Sequence, residues 1–368
     1  MKIGVLTSSR ADYGIYLPLL NELKKDIFFD LEIIAFGTHL SKKHGFTLSD
    51  IVKDEYDTIY KITSLSDDDS EKDIVISYGN TVLEFADFWS IHKFDLVFCL
   101  GDRFEMSAAV QASIPFGVKL AHLHGGETTL GAIDNIYRHQ ISLASKYHFV
   151  STNENKQKVK QLIGSSNLIY DVGSLSLSNI ETFKPHDRSV FFKNYGIRDA
   201  PYILVTFHPE TVSAENNLAF AKEMKDALTI LCKKINVIIT MPNADTLGSV
   251  YRKELNQLKV SNPEKVLLIE NFGKVNYFNA MFYSELLIGN TSSGIIEAAS
   301  FNKKVINVGD RQKGRTHGTN VFNTGFDSVK IIEICNKLIK EKKLKMDNIY
   351  FKKHTARNII TTLKKNTI

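Results

Sequence analysis

The stretch LHGGETTLGAIDNIYRH, residues 123–139, crowds reactive side chains into one loop and one turn of helix. A hydrophobic run, Val118 to Leu123, stops at His124-Gly125-Gly126, and Glu127, Asp134, Arg138 and His139 follow. Carboxylates beside cations suit proton transfer, provided burial and neighbouring charge tune one acid up and another down. Asp102, in the preceding strand-end run GDRFE, adds a third carboxylate. Plainer readings exist for two of these residues. A carboxylate is the ordinary first-turn residue of a helix, which covers Asp134, and Asp134 with Arg138 has the i,i+4 spacing of a helix ion pair. His122, His124 and Glu127 raise the question of a metal, but no HExxH motif or Cys cluster accompanies them, so none is expected.

A second run, GNTSSGIIEAASF (Gly289–Phe301), reads as a strand end, a hydroxyl-rich turn and a helix. Free N–H groups and the positive helix end favour an anion there, Ser292 and Ser293 donate hydroxyls, and Gly294 admits a phosphate closely. Glu297, one turn on, is placed to accept from vicinal ribose hydroxyls. An ordinary Ser/Thr helix cap has the same sequence, so the run needs company. Arg10, Arg103 and Arg311 each follow a predicted strand, and guanidinium forks match diphosphate oxygens. His208 and Asn243 are further polar strand-end groups able to bond a nucleotide. The chain has no GxGxxG after its first strand and no GxxxxGK[ST].

These groups need a frame. KIGVLTS precedes a helix around Tyr16–Lys25, and LEIIAFG, FDLVFCLGD, VKLAHLH and YHFVST follow with helical patterns between them. After a polar, Pro-containing stretch near residues 179–200 come YILVTFHPE, NVIITMPN, KVLLIEN, SELLIGN and KKVINVGD. Such alternation predicts an α/β chain of parallel sheets covered on both faces. The expected organisation is two Rossmann-like domains facing a cleft, residues 1–178 and 179–351, with the chemistry outside the carboxyl ends of the strands.

With 368 residues, 43% hydrophobic and 24% charged, two globular domains are the natural expectation. No apolar run is long enough for a membrane span, the charged start lacks a signal-peptide core, and three scattered cysteines suit a reducing compartment, so a cytoplasmic protein is expected. The net charge is +5, of which residues 336–368 supply +8 from ten Lys/Arg and two Asp/Glu. That tail is read as the solvated face of an amphipathic helix rather than a nucleic-acid or membrane patch, because no nucleic-acid motif accompanies it.

The motifs TSSRADYG, GDRFE, HLHGGETTLGAID, FHPET, PNADTLG, IGNTSSGIIEA and NVGDRQKGR, in this order and over nearly the whole chain, resemble the hydrolysing UDP-N-acetylglucosamine 2-epimerases of bacterial sialic acid synthesis. The resemblance implies a glycosyltransferase-B-like fold with UDP held mainly by the second domain. It assigns diphosphate and nucleotide binding to Arg10, Arg103, His208, Asn243, Ser292, Ser293, Glu297 and Arg311. His124 and Arg138 join the substrate-binding set, and Asp102, Glu127 and Asp134 fall at acid/base positions. Relatives often carry a second acid after the aspartate of the Ile-Asp pair, where this chain has Asn135. The implied reaction releases UDP from UDP-N-acetylglucosamine to form a glycal, then adds water to give N-acetylmannosamine, with no cofactor. The related alternative is UDP-2,4-diacetamido-2,4,6-trideoxyglucose of legionaminic acid synthesis; a glycosyltransferase or a non-catalytic nucleotide-sugar sensor of the same fold are the rivals. Relatives also imply a homodimer or homotetramer, and a C-terminal helix (352–368) that returns to the first domain.

Overall fold

The computed structural model describes all residues except 43–45, 67–69, 213, 243–247, 343–344 and 368. They form two compact units: Met1–Glu127 with Ile133–Asn179 and Tyr350–Ile368, and Thr128–Ala132 with Ile180–Ile349.

The first unit contains β1 (Lys2–Thr7), α1 (Arg10–Lys25), β2 (Asp30–Phe36), α2 (Leu48–Lys53), β3 (Thr58–Ile62), α3 (Glu71–Ile91), β4 (Leu96–Leu100), α4 (Phe104–Ser113), β5 (Leu120–Leu123), α5 (Asp134–Ala144), β6 (Tyr147–Val150), α6 (Asn153–Ile163) and β7 (Ile169–Asp171). Its seven strands are parallel in the order β3-β2-β1-β4-β5-β6-β7. Strands β4, β5 and β6 are buried throughout, as near-continuous apolar runs covered on both faces must be. The strand order reverses at β1, so the loops after β1 and β4 flank the crevice where ligands of such sheets bind. Helix α1 begins at Arg10, six residues before the expected Tyr16, because Ser9 and Asp12 form a capping box that outweighs the helix-weakening Gly14 and Pro18.

The second unit contains α7 (Arg188–Tyr195), β8 (Tyr202–Thr206), α8 (Asn217–Leu231), β9 (Asn236–Thr240), α9 (Gly248–Ser261), β10 (Val266–Ile269), α10 (Gly273–Tyr283), β11 (Leu287–Gly289), α11 (Ser292–Ile296), β12 (Val305–Val308), β13 (Val321–Thr324) and α12 (Ser328–Lys340). Its parallel sheet runs β10-β9-β8-β11-β12-β13, with the reversal at β8 and β11. At that point the strands approach so closely that a Cβ on Gly289, where φ is +149°, would sit 1.8 Å from the Thr206 carbonyl oxygen. Residues Thr128–Ala132 belong to this unit, where the Leu130 N–H donates to the Lys313 carbonyl at 3.0 Å.

The last helix, α13 (Thr355–Thr367), packs on α1 and buries Ile359, Ile360 and Leu363 in the first unit's core, with Lys364 paired to Asp26. Among the described residues, no helix is long and apolar enough to cross a membrane. The three cysteines are buried free thiols.

His122, on β5, fastens the strand to its neighbours. Its Nε2 lies 2.9 Å from the Gly101 carbonyl, an acceptor only, so Nε2 carries the hydrogen and Nδ1 accepts from Ser142 Oγ at 2.9 Å. Burial pushes this imidazole down to about 3, with the Gly101 bond opposing. Between that value and an ordinary histidine value near 6.5 the unfolded chain binds the extra proton, so this group's stabilisation is full above about pH 6.5 and falls with acidification, by at most about 1.4 kcal/mol per pH unit. We expect the stability difference between wild type and His122→Gln to narrow from pH 7 to pH 4, read by urea unfolding. Gly289→Ala is expected to cost about 3 kcal/mol or more through the Thr206 clash and backbone strain, read as a lowered urea midpoint.

Candidate active site

In the first unit the loops after β4 and β5 are tied together by one guanidinium. Arg138, one turn into α5 and 2% exposed, forms an ion pair through Nη2 with Asp102, and its Nη1 donates to the Glu127 carbonyl at 2.7 Å. Asp102 keeps 27% of its side chain exposed, so a charge fixed from behind still faces outward. Asp134 opens α5 one turn before Arg138 and is half-buried. The glycines after His124 serve close packing. A Cβ on Gly126, at φ +77°, would lie 2.4 Å from the Asn155 carbonyl oxygen, and one on Gly125 would lie 3.0 Å from both His122 Nδ1 and Ser142 Oγ. The backbone there is held, and Glu127, 3% exposed, is held with it.

The loop after β1 is organised by Asp12. Its carboxylate accepts from Thr7 Oγ1, from Ser8 N and Oγ at 2.9 Å, and from Ser9 N at 3.1 Å. His39 stands behind it, with Nε2 2.9 Å from Thr7 Oγ1 and Nδ1 2.8 Å from Thr47 Oγ1. Burial works to raise the Asp12 pKa, but His39 and the hydrogen bonds from Thr7 and Ser8 outweigh it and hold the carboxyl below its ordinary value. This rigid turn presents Arg10, exposed, at the first position of α1. Arg103 meets a carboxylate in the first turn of α4. Its Nε and Nη2 lie on buried Glu105 at 2.9–3.3 Å, so that edge of the fork is occupied.

The second unit repeats the device with other residues. Asn290, fully buried, bridges the ends of β8 and β11: its Oδ1 accepts from His208 N at 2.7 Å and its Nδ2 donates to the His208 carbonyl at 2.8 Å. Glu210 Oε1 accepts from the backbone N–H of Asp310 at 2.5 Å and of Arg311 at 3.1 Å, while Arg311 Nη1 donates to the Pro209 carbonyl at 2.8 Å. Burial pushes the Glu210 carboxyl above its ordinary value even against those two N–H donors. Ser292 is exposed at the start of α11; Ser293 shares hydrogen bonds with the Tyr277 hydroxyl (2.9 Å) and Thr291 Oγ1 (3.2 Å). Helix α11 is only five residues long before a 3-10 turn, Ala298–Phe301, takes over. Its use to an anion is therefore the unpaired N–H groups of a first turn rather than the dipole of a long helix. Glu297, buried at its end, lies near Lys274, whose ammonium burial brings down to about 8 against the opposing charge of Glu297. Asn243 lies outside the described residues.

The structure thus joins Asp102, Glu127, His124 and Arg138 in one hydrogen-bonded group and His208, Arg311 and the β11 turn in another. Sequence reasoning gave no role to Asp12, His39 and Glu105, and none beyond polar strand-end groups to Glu210 and Asn290; all five hold these loops. The Ser9-x-x-Asp12 spacing was a readable capping signal. The bond from Glu210 to Asp310 spans 100 residues and leaves no local mark. Among the described residues no group of three or more His, Cys, Asp or Glu is arranged to hold a metal ion.

Comparison with known proteins places these features in context. The family model described as UDP-N-acetylglucosamine 2-epimerase matches residues 21–364. The UDP-N,N'-diacetylbacillosamine 2-epimerase (hydrolyzing) of Legionella pneumophila is 32% identical over 99% of this chain and 95% of its own length. The GDP/UDP-N,N'-diacetylbacillosamine 2-epimerase (hydrolyzing) of Campylobacter jejuni is 34% identical over 88% of this chain and 84% of its own. The crystal structure of UDP-GlcNAc 2-epimerase from Neisseria meningitidis bound to UDP-GlcNAc has the same fold, with a TM-score of 0.83 at 20% identity over all of both chains. Two parallel-sheet α/β units of glycosyltransferase-B-like type, carrying these strand-end groups over the length of the match, make the chain a member of the UDP-N-acetylglucosamine 2-epimerase family.

Proposed function

We propose that this protein is a hydrolysing 2-epimerase that converts a UDP-2-acetamido sugar and water into UDP and the free 2-epimer, with UDP-N,N'-diacetylbacillosamine as its substrate. The observation that carries the reading is the match to the Legionella enzyme across 99% of the chain, combined with carboxylates fixed at the strand ends of the first unit. The family's own description favours a second substrate, UDP-N-acetylglucosamine, which differs at C4 and C6 of the sugar and not at the reacting carbons.

The chemistry explains why two sets of groups are needed. No carbonyl stands beside C2, so its hydrogen is not acidic until UDP begins to leave and C1 gains oxocarbenium character. Arg10, Arg311 and the N–H and hydroxyl groups of Ser292 and Ser293 stabilise the departing diphosphate, with charge placed in advance of the reaction. Glu297 and His208 are assigned to the nucleoside, as is Asn243. Loss of the C2 proton yields a glycal; water then adds across the double bond, and C2 is protonated from the opposite face. Two faces need two proton carriers, which the first unit supplies from Asp102, Asp134 and the group around Glu127. Arg138 fixes the charge of Asp102 from behind, and its partner carboxylate oxygen remains for substrate.

Incubation with each UDP-sugar in deuterated water, followed by NMR, is expected to give free UDP and a free mannose-configured sugar deuterated at C2, faster from the diacetylbacillosamine substrate. A product still joined to UDP would contradict the hydrolysing reading. Asp102→Asn is expected to lower kcat by about 10³-fold while leaving calorimetric UDP affinity within about threefold. Loss of UDP binding in that variant would remove Asp102 from the proton-transfer role.

A further inference from the structure

Beyond the ends of β5 and β6, three buried side chains form a cluster whose connectivity fixes a proton. His124 Nδ1 is 2.9 Å from Glu127 Oε1; Ser151 Oγ donates to the same oxygen at 2.8 Å and lies 3.2 Å from Nδ1. An ionised carboxylate only accepts, so the hydrogen of the 2.9 Å contact sits on Nδ1. In the neutral ring this leaves Nε2 as a lone pair. Nε2 is buried and has no hydrogen-bond partner among the described residues, in a side chain 9% exposed. A buried polar atom without a partner costs about 1–3 kcal/mol, which a ligand group can recover.

The backbone is bent to place this ring. His124 has φ +65°, a left-handed conformation uncommon for residues other than glycine, and its N–H donates to the Phe149 carbonyl at 3.0 Å. The packed glycines after it prevent relaxation. Glu127, in contrast, already spends Oε1 on two donors.

We propose that His124 Nε2 is the base that removes the C2 proton, and that Glu127 is a positioning residue that orients the ring and balances its charge. The proposal rests on the epimerase reading above. As the C1–O bond breaks, its electron pair leaves on the β-phosphate oxygen of UDP. The C2–H bond then breaks, its pair becomes the C1=C2 bond of the glycal, and the proton passes to Nε2. The resulting imidazolium keeps Nδ1–H on Glu127 and later releases the Nε2 proton to water. The same carboxylate–imidazole division of labour recurs wherever a carboxylate fixes a histidine's tautomer.

Two measurements test it. Long-range nitrogen–proton NMR of the wild type reads the tautomer without any substrate: hydrogen on Nδ1 is expected, and a neutral ring with hydrogen on Nε2 overturns the relay. His124→Asn keeps a residue that tolerates the left-handed backbone, and is expected to lose about 10³-fold in kcat with UDP affinity unchanged. In His124→Gly, which also suits that conformation, added imidazoles are expected to restore turnover in order of their basicity. Glu127→Asp is expected to recover most of the activity that Glu127→Gln loses. Turnover by His124→Asn within threefold of wild type overturns the relay alone, whereas a wild type inactive on both UDP-sugars overturns the epimerase reading beneath it.

Discussion

A guanidinium out of water needs a counter-charge and hydrogen-bond acceptors, and in the first unit Arg138 imposes that requirement. Leaving such a buried ion without its partner costs about 3–5 kcal/mol. The partners available are Asp102, beyond β4, and the Glu127 carbonyl, beyond β5. Satisfying Arg138 therefore sets the distance between two loops that the sheet alone would leave free. His122 sets the same spacing one layer deeper, through Gly101 and Ser142. Asp102 and the residues around His124 inherit their positions from one buried cation, Arg138, and one buried neutral imidazole, His122.

The second unit solves the same problem with neutral and anionic groups. Asn290 clamps both backbone groups of His208, and Glu210 gathers the N–H groups of Asp310 and Arg311. Glu210 turns two N–H groups inward, and the Arg311 side chain is braced by the Pro209 carbonyl. Binding groups on a braced backbone lose little further freedom when a ligand arrives, which is the physical content of preorganisation.

The close packing of Gly126 and Gly289 follows from the same demand for rigidity. Each lets one backbone approach another nearer than any side chain permits. The left-handed His124 is the counterpart with a side chain present: its strain is maintained by the surrounding bonds, and the ring it places carries a buried Nε2 without a hydrogen-bond partner among the described residues.

Hydrophobic alternation and turn residues by themselves determined the α/β class and the central strands β1, β2, β4 to β6, β8, β9, β11 and β12, because a strand buried on both faces must be a continuous apolar run, and they marked the edge strand β10 because VLLI is apolar throughout. They also determined which loops carry polar groups. The strands that went unread, β3, β7 and β13, are all at sheet edges, short and half-exposed, where burial no longer dictates the residue types. Tertiary structure alone decided which of the polar groups are free. Arg103 is engaged by Glu105 and Asp102 by Arg138, and Glu127 holds His124 rather than standing open. Spacing along the chain shows which charges exist; only folding brings an acid to a particular base. The energy of that pairing depends on burial and distances of a few ångströms, which sequence order does not encode.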